Sequence, residues 1–284
     1  MIIYRKLVHE DYDDIVDISK DIWGGTDYLP YVFHKWVDDE GFFMGAVDEA
    51  KDKVVGVGKY TILHDDSGWL EGLRVHKDYR GKKIGKEISY KLFKIALGEL
   101  DQGYIKKIAF GTHISSKESI GIMKKLGFKI EQEYILVSKK RNNLGNIGRL
   151  EDYEFLPWNV SLEEFLSLDY FKRRNNILPL AFVFQNPTEK LYQELKNENA
   201  FVTINGHKGI YKLKGDPYFI SIDDDFEGIN AFMNYYSLLL SDKNITALST
   251  SIIQDKFLID KLKQNGFSSD ADWKPDYLYF TYKR

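Results

Sequence analysis

Two hydrophobic periods alternate along the first 140 residues. Ile2–Val8 switches between apolar and polar positions and predicts a strand. Tyr12, Ile15, Ile18 and Ile22 recur at helical spacing and predict an amphipathic helix over His9–Trp23. The breaker-rich run Gly24-Gly25-Thr26-Asp27-Tyr28-Leu29-Pro30 separates it from a second short helix over Tyr31–Val37. Strand-like runs follow at Phe42–Asp48, Val54–Leu63 and Gly68–Val75. The basic, glycine-bearing loop Arg80–Gly85 leads into a helix in which Ile84, Ile88, Leu92 and Ala96 fall four apart. Ile105–Thr112 reads as a strand. Ser116–Leu126 reads as a helix closed by Gly127, which suits the left-handed C′ position, and Phe128–Ser138 as a strand. The order is β-α-α-β-β-β-α-β-α-β.

The polar stretch Lys139–Asp152 reads as a linker. The expected division is a domain over 1–140, a linker over 141–155 and a second domain over 156–284. In the second domain, Ser161-x-x-Glu164 has the form of a capping box and opens a helix to Lys172. Ala181–Gln185 predicts a strand and Pro187–Asn197 a helix. Phe201–Asn205, Gly209–Leu213 and Tyr218–Asp223 predict three strands. Phe226–Leu240, Ile245–Ser251, Lys256–Gln264 and Tyr277–Lys283 predict helix, strand, helix and strand. Lys124-Lys125-Leu126-Gly127-Phe128 and Lys263-Gln264-Asn265-Gly266-Phe267 end helices 139 residues apart, after the same order of elements. The pair reads as the trace of a degenerate duplication.

Composition narrows the function. The chain has 284 residues, enough for two domains of about 140. With 40 Lys and Arg against 43 Asp and Glu the net charge is −3, unlike a dedicated nucleic-acid binder. There is no cysteine, which excludes disulfides, thiolate metal sites and a Cys nucleophile. No His/Asp/Glu cluster has metal-ligand spacing, so no metal is expected. Met1–Lys6 is followed at once by acidic residues and lacks the apolar core of a signal peptide. No apolar run approaches the ~18 residues of a membrane span. The expectation is a cytoplasmic protein acting on a small molecule, as a monomer or homodimer.

The chemistry concentrates in Trp69-Leu70-Glu71-Gly72-Leu73-Arg74-Val75-His76-Lys77-Asp78-Tyr79-Arg80-Gly81-Lys82-Lys83-Ile84-Gly85-Lys86. A strand feeds a basic glycine loop, which feeds a helix. The first turn of such a helix offers unpaired N–H groups and the positive end of its dipole, and so accepts phosphate. Arg80, Lys82, Lys83 and Lys86 add positive charge. A P-loop does not fit, because Lys86 stands five residues after Gly81. Gly56-Val57-Gly58 lacks the third glycine of a dinucleotide fingerprint and reads as strand.

These residues resemble the GCN5-related N-acetyltransferases. Arg80-Gly81-Lys82-Lys83-Ile84-Gly85 is similar to the family's Arg/Gln-x-x-Gly-x-Gly/Ala loop, with Lys83 in place of the middle glycine. Leu73-Arg74-Val75 and Leu126-Gly127-Phe128 fit as well. The resemblance covers about residues 1–140 and implies an α/β acyl-CoA N-acyltransferase fold, with the C-terminal domain a worn copy. It implies acetyl transfer from acetyl-CoA to an amine, with pantetheine on Leu73, Arg74 and Val75. The pyrophosphate would lie on Arg80, Gly81, Lys82, Lys83, Ile84, Gly85 and Lys86, with Ser116 at the late helix start. Glu71 takes the position of the catalytic base, and the backbone N–H of Val75 that of the oxyanion donor. The family's tyrosine acid is replaced by Met123, and Tyr134 is the substitute considered. Absence of cysteine makes the transfer direct.

The segment Trp23–Pro30 with Phe33-His34-Lys35-Trp36 is similar to the histidine N-acetyltransferase group. That likeness implies a free amino acid whose α-amine is acetylated, with Trp23, Asp27, Tyr28 and Trp36 at the acceptor. Two other readings stand beside it. One is an acetyltransferase for a peptide or protein N-terminus or another amine metabolite; the other is an acyl-CoA sensor without turnover. In the second half, Asp223–Glu227 is acidic where the first half is basic, so that copy is expected to have lost acetyl-CoA binding.

Overall fold

The computed structural model describes residues 1–140, 145–212, 218–240 and 247–284. Residues 141–144 of the expected linker, Leu213, and residues 245–246 of an expected strand lie outside them. Contacts divide the chain into two compact units that interleave in sequence. Unit 1 holds Met1–Phe110, Glu118–Lys129 and Phe280–Arg284, and unit 2 holds Gly111–Lys117 and Ile130–Tyr279.

The first part follows the expected order. β1 (Ile2–Lys6), α1 (Tyr12–Ser19), α2 (Leu29–Asp38), β2 (Phe42–Asp48), β3 (Lys53–Ile62) and β4 (Ser67–Val75) precede α3 (Ile84–Asp101), β5 (Lys107–His113) and α4 (Lys117–Lys125). β1 to β4 pair antiparallel in sequence order. β4 and β5 run parallel, and their ladder covers only Ser67–Trp69 against Lys107–Ala109. Ile15, Ile18, Leu29, Phe33 and Trp36 of α1 and α2 bury against Phe43, Val47, Val54 and Val57 of the sheet. On the opposite face α3 rests on β3, where Gly56 and Gly58 leave room. A Cβ on Gly58 would stand 2.7 Å from Ile88 Cγ2 and 3.0 Å from Leu92 Cδ1. The glycine pair thus serves helix-on-sheet packing.

The first helix is shorter than its apolar period. α1 ends at Ser19, and Trp23–Gly25 forms a 3₁₀ turn with φ of +47°, +68° and +88°. α2 begins before Tyr31, because Pro30 is tolerated in the first turn, where its missing N–H has no partner to lose. Unit 1 is completed from the far end of the sequence. Phe280 stacks on Phe110 at 4.8 Å, Tyr282 meets Phe93 edge-on at 5.1 Å, and Arg284 pairs with Asp101 at 2.7 Å.

Unit 2 takes most of β6 (Lys129–Lys140), then β7 (Phe155–Pro157), α5 (Leu162–Ser167), α6 (Asp169–Lys172), β8 (Leu178–Leu180), β9 (Val183–Gln185) and α7 (Glu189–Asn197). β10 (Phe201–Ile204), β11 (His207–Lys212), β12 (Tyr218–Ser221), α8 (Phe226–Leu239), β13 (Ala247–Ile252), α9 (Lys256–Gln264) and β14 (Tyr277–Tyr282) follow. One sheet has the order β12-β11-β10-β7, and β13 pairs antiparallel with β6, Ile252 opposite Ile135. The capping-box helix breaks at Leu168 (φ −54°, ψ 132°), so α5 and α6 replace one helix. β8 and β9 form a hairpin turned at Ala181 (φ +52°), where a single strand over Ala181–Gln185 was expected. The three-residue strands β7 and β8 carry no readable period.

The matched helix ends share one backbone geometry. Gly127 and Gly266 have φ of +94° and +77°. Phe128 N donates to Met123 O and Phe267 N to Leu262 O, each at 3.1 Å, the long bond of a Schellman cap.

Candidate active site

β3 and β4 fall out of step where Val57 faces Arg74 but Lys59 faces Glu71. Gly72 and Leu73 bulge opposite Gly58. Gly72 has φ of +67°, and a Cβ there would lie 2.5 Å from the Trp36 ring, so only glycine fits. The bulge directly follows Glu71 and lies beyond the last β5 pairing, so β4 leaves its parallel neighbour from Leu70 on. His76 N donates to Val55 O. By antiparallel alternation the next pair, Gly56 and Val75, is not hydrogen-bonded, and the Val75 N–H and C=O point away from β3. Arg80 Nε donates to that Val75 carbonyl at 3.2 Å.

The basic loop adopts the shape its glycines announce. Lys77–Tyr79 is a 3₁₀ turn, anchored by the Tyr79 hydroxyl donating to Asp48 at 2.7 Å and by His76 Nε2 3.3 Å from Asp17. Gly81 has φ of +78° and Lys83 φ of +64°, ψ 8°. Lys83 therefore holds a left-handed conformation that favours glycine, which costs a non-glycine residue about 1–2 kcal/mol. α3 starts next, with no side chain capping its first-turn amides. A Cβ on Gly81 would meet nothing within 4 Å, and one on Gly85 would lie 3.4 Å from Val75 Cγ2. Free amides, a helix dipole and Arg80, Lys82, Lys83 and Lys86 in one loop fit a pyrophosphate. Lys82 leans over the Tyr79 ring at 4.4 Å.

Burial pushes the Glu71 carboxyl up to about 7. Thr61 Oγ1 donates to Glu71 Oε1 at 2.7 Å, and this bond, Lys59 and Trp69 oppose the shift while Asp39 adds to it. A carboxylate half ionised near neutrality suits proton removal from an ammonium. Lys59 had no place in the sequence reading. Its signal was a lone Lys within the apolar run Val54–Ile62, and it is wholly buried, its Nζ donating to Trp36 O at 2.9 Å.

The aromatic loop and Arg74 come together. Arg74 Nε and Nη2 donate to the two Asp27 oxygens at 3.0 and 3.1 Å, and Nη1 donates to Leu73 O. The guanidinium lies 4.6 Å from the Trp23 ring and 5.5 Å from Tyr28. Asp27 is buried and its carboxylate is taken by Arg74, a pairing the sequence reading did not foresee. Burial pushes the Tyr28 hydroxyl up to about 12. Trp36 is core, edge-on to Phe43 at 5.4 Å, while Trp23 is 63% exposed. Met123 is buried. Ser116 and Tyr134 fall in unit 2, where Tyr134 packs on Phe184.

At the start of α8 the arrangement is inverted. Asp225 caps the helix, accepting from Gly228 N at 2.7 Å, and Asp224 (φ +56°) pairs with Arg173 and Arg174 at 2.8 and 2.9 Å.

Comparison with known proteins agrees with this geometry. Residues 10–128 match the model of the acetyltransferase (GNAT) family. This segment belongs to the GNAT family. GNAT enzymes use acetyl-CoA, for which the loop is suited. A histidine N-acetyltransferase of Oreochromis niloticus is 36% identical over 76 residues, 26% of this chain and 22% of that protein. One of Xenopus tropicalis is 28% identical over 112 residues, 38% of this chain and 34% of that protein. The chain thus matches these relatives over about a fifth to a third of their length. The GNAT-type fold extends further. A putative acetyltransferase of Pyrococcus horikoshii aligns with the whole chain and 89% of its own, at TM-score 0.63 and 14% identity. A GCN5-related N-acetyltransferase of Sphaerobacter thermophilus aligns over 99% of this chain and 95% of its own, at TM-score 0.62 and 10% identity. Among the described residues, no group of three or more acidic or histidine side chains is placed for a metal, and no helix is long and apolar enough to cross a membrane.

Proposed function

We propose that this protein moves the acetyl group of acetyl-CoA to the α-amine of a free amino acid such as histidine, with Glu71 as general base. The observation that carries the reading is the half-buried Glu71, whose carboxyl desolvation pushes up to about 7, one residue before the bulge in β4. Acetyl-CoA supplies an acetyl group on a thioester. The loop Arg80–Lys86 and the first turn of α3 hold its pyrophosphate, and the outward Val75 N–H donates to the acyl oxygen. An ammonium has no lone pair until a proton leaves; Glu71 takes that proton, the freed amine bonds to the acyl carbon as its C–S bond breaks, and the amine's second proton ends on the departing CoA sulfur. Arg74 spends three of its five N–H groups on Asp27 and Leu73, and the remaining two suit an α-carboxylate. Trp23, exposed beside it, offers a face to an imidazole.

Unit 2 is a worn copy in this reading. Asp225 already satisfies an α8 amide where the first unit leaves its helix start uncapped, so it does not bind acetyl-CoA. Thiol release from acetyl-CoA, followed with a panel of free amino acids, short peptides and simple amines, tests the proposal. Turnover with histidine or another free amino acid is expected. Turnover with peptides alone moves the acceptor to a polypeptide N-terminus. Tight CoA binding without release for any amine makes the protein a sensor.

A further inference from the structure

Lys59 is among the largest fully buried side chains, and no carboxylate hydrogen-bonds its ammonium. Nζ donates to Trp36 O at 2.9 Å and Glu40 O at 3.3 Å. The Trp36 carbonyl lies in the last turn of α2 and Glu40 two residues past it, so the charge sits at the negative end of that helix. The ladder places Lys59 directly across from Glu71, with Thr61 next along the same face of β3. Trp36, whose carbonyl Lys59 holds, lays its ring against Gly72, the residue after Glu71. One ammonium therefore ties the end of α2 to the sheet, on the β3 residue that stands across the ladder from the half-buried Glu71.

A buried charge is expensive, and a methionine would fill the same space. What methionine lacks is the field. We infer that Lys59 is a positioning residue that holds Glu71 in its ionised, proton-accepting form. The inference rests on Glu71 as the base. The groups facing Glu71 are few: Lys59 and Thr61 on β3, Trp69 on its own strand, Asp39 just past α2 and Tyr28 just before it. Lys59 favours the carboxylate, as do the Thr61 and Trp69 bonds, whereas Asp39 opposes it. Burial in turn lowers the Lys59 ammonium from its ordinary value, and Glu71 supports it. The two groups thus stabilise each other's charged forms, and such coupling is reciprocal.

Two titrations of the full chain test this. In Lys59→Met labelled with carboxyl-¹³C glutamate, the Glu71 signal is identified by its loss in Glu71→Gln. Its midpoint is expected to rise by about one pH unit, a tenfold loss in ionisation. In Glu71→Gln labelled with ¹⁵N-lysine, the Lys59 midpoint is expected to fall by a like factor, and this arm survives if Lys59→Met does not fold. Midpoints that stay put leave Lys59 as a helix cap only and overturn the inference. With free histidine and acetyl-CoA, kcat/KM of Lys59→Met should drop about tenfold at pH 6 and less than twofold at pH 9. An equal drop at every pH also contradicts it. Should the midpoints move while turnover ignores the ionisation of Glu71, the coupling stands and the base assignment falls.

Discussion

Glu71 holds its proton to about pH 7, although an ordinary glutamic acid releases it near 4.5. The sign for stability follows. Between those values the unfolded chain ionises Glu71 and the folded chain does not, so its contribution to stability is lost as pH rises toward 7. Glu71→Gln should then unfold at higher urea than the wild type at pH 8, by about 1–3 kcal/mol, and match it at pH 4. An unchanged difference across that range would remove the burial account. Lys83 is strained for a different reason. A β-branched residue at φ +64° is worse than an unbranched one, so Lys83→Val should cost about 1–2 kcal/mol while Lys83→Gly is tolerated. Equal stability of both variants in urea would contradict that backbone geometry.

At the scale of elements, the bulge in β4 places the site, and it depends on one hydrogen atom. Gly72→Ala would drive a methyl group into the Trp36 ring at an unfavourable φ, and overpacking of this kind costs roughly 1–3 kcal/mol. Thermal unfolding should show that loss together with a fall in turnover; a stable, active variant would mean the bulge is dispensable. In unit 2, Asp225→Ala should cost about 1 kcal/mol as a lost cap. Affinity for acetyl-CoA should be unchanged in a binding titration, and a rise or fall in it would give the second unit a role in binding.

The sequence announced these elements unevenly. Long apolar runs located β2 and β4 within a residue or two, and the period from Ile84 marked the start of α3 but not its end at Asp101. The shape of the loop before α3 was legible because glycines and basic residues mark it locally. Asp27 with Arg74, and Lys59 with Glu71, lie 47 and 12 residues apart, and nothing local records that Arg74 takes up the Asp27 carboxylate or that Lys59 stands across from Glu71. Pairing of that kind is decided by strand register and packing. The same holds for Leu168, where a helical period ran on through a residue with extended ψ.

For the whole molecule, contact and sequence order part company. Phe280–Arg284 belong to the first unit, and Gly111–Lys117 with Ile130–Lys140 to the second. Such interleaving explains why a domain boundary read from a polar stretch near 140 need not coincide with a unit able to fold alone. Phe280→Ala removes the ring stacked on Phe110 and should cost about 3–5 kcal/mol, as for other buried aromatics. Amide exchange should quicken through Lys107–Phe110, the part of β5 in unit 1; slowed or unaltered exchange there would argue against that packing. The helix caps at Gly127 and Gly266 share one backbone geometry, whereas the helix starts differ: α3 follows a basic loop and α8 is capped by Asp225.

In the proposed mechanism, a carboxyl that burial makes weakly acidic takes the proton of the acceptor amine. The direct measurement is the pH dependence of kcat/KM for thiol release from acetyl-CoA with free histidine, in wild type and Glu71→Gln. The account predicts a rise through about pH 7 in the wild type that disappears in the variant, whose deficit shrinks where the amine is already deprotonated. The same rise in both proteins would contradict it.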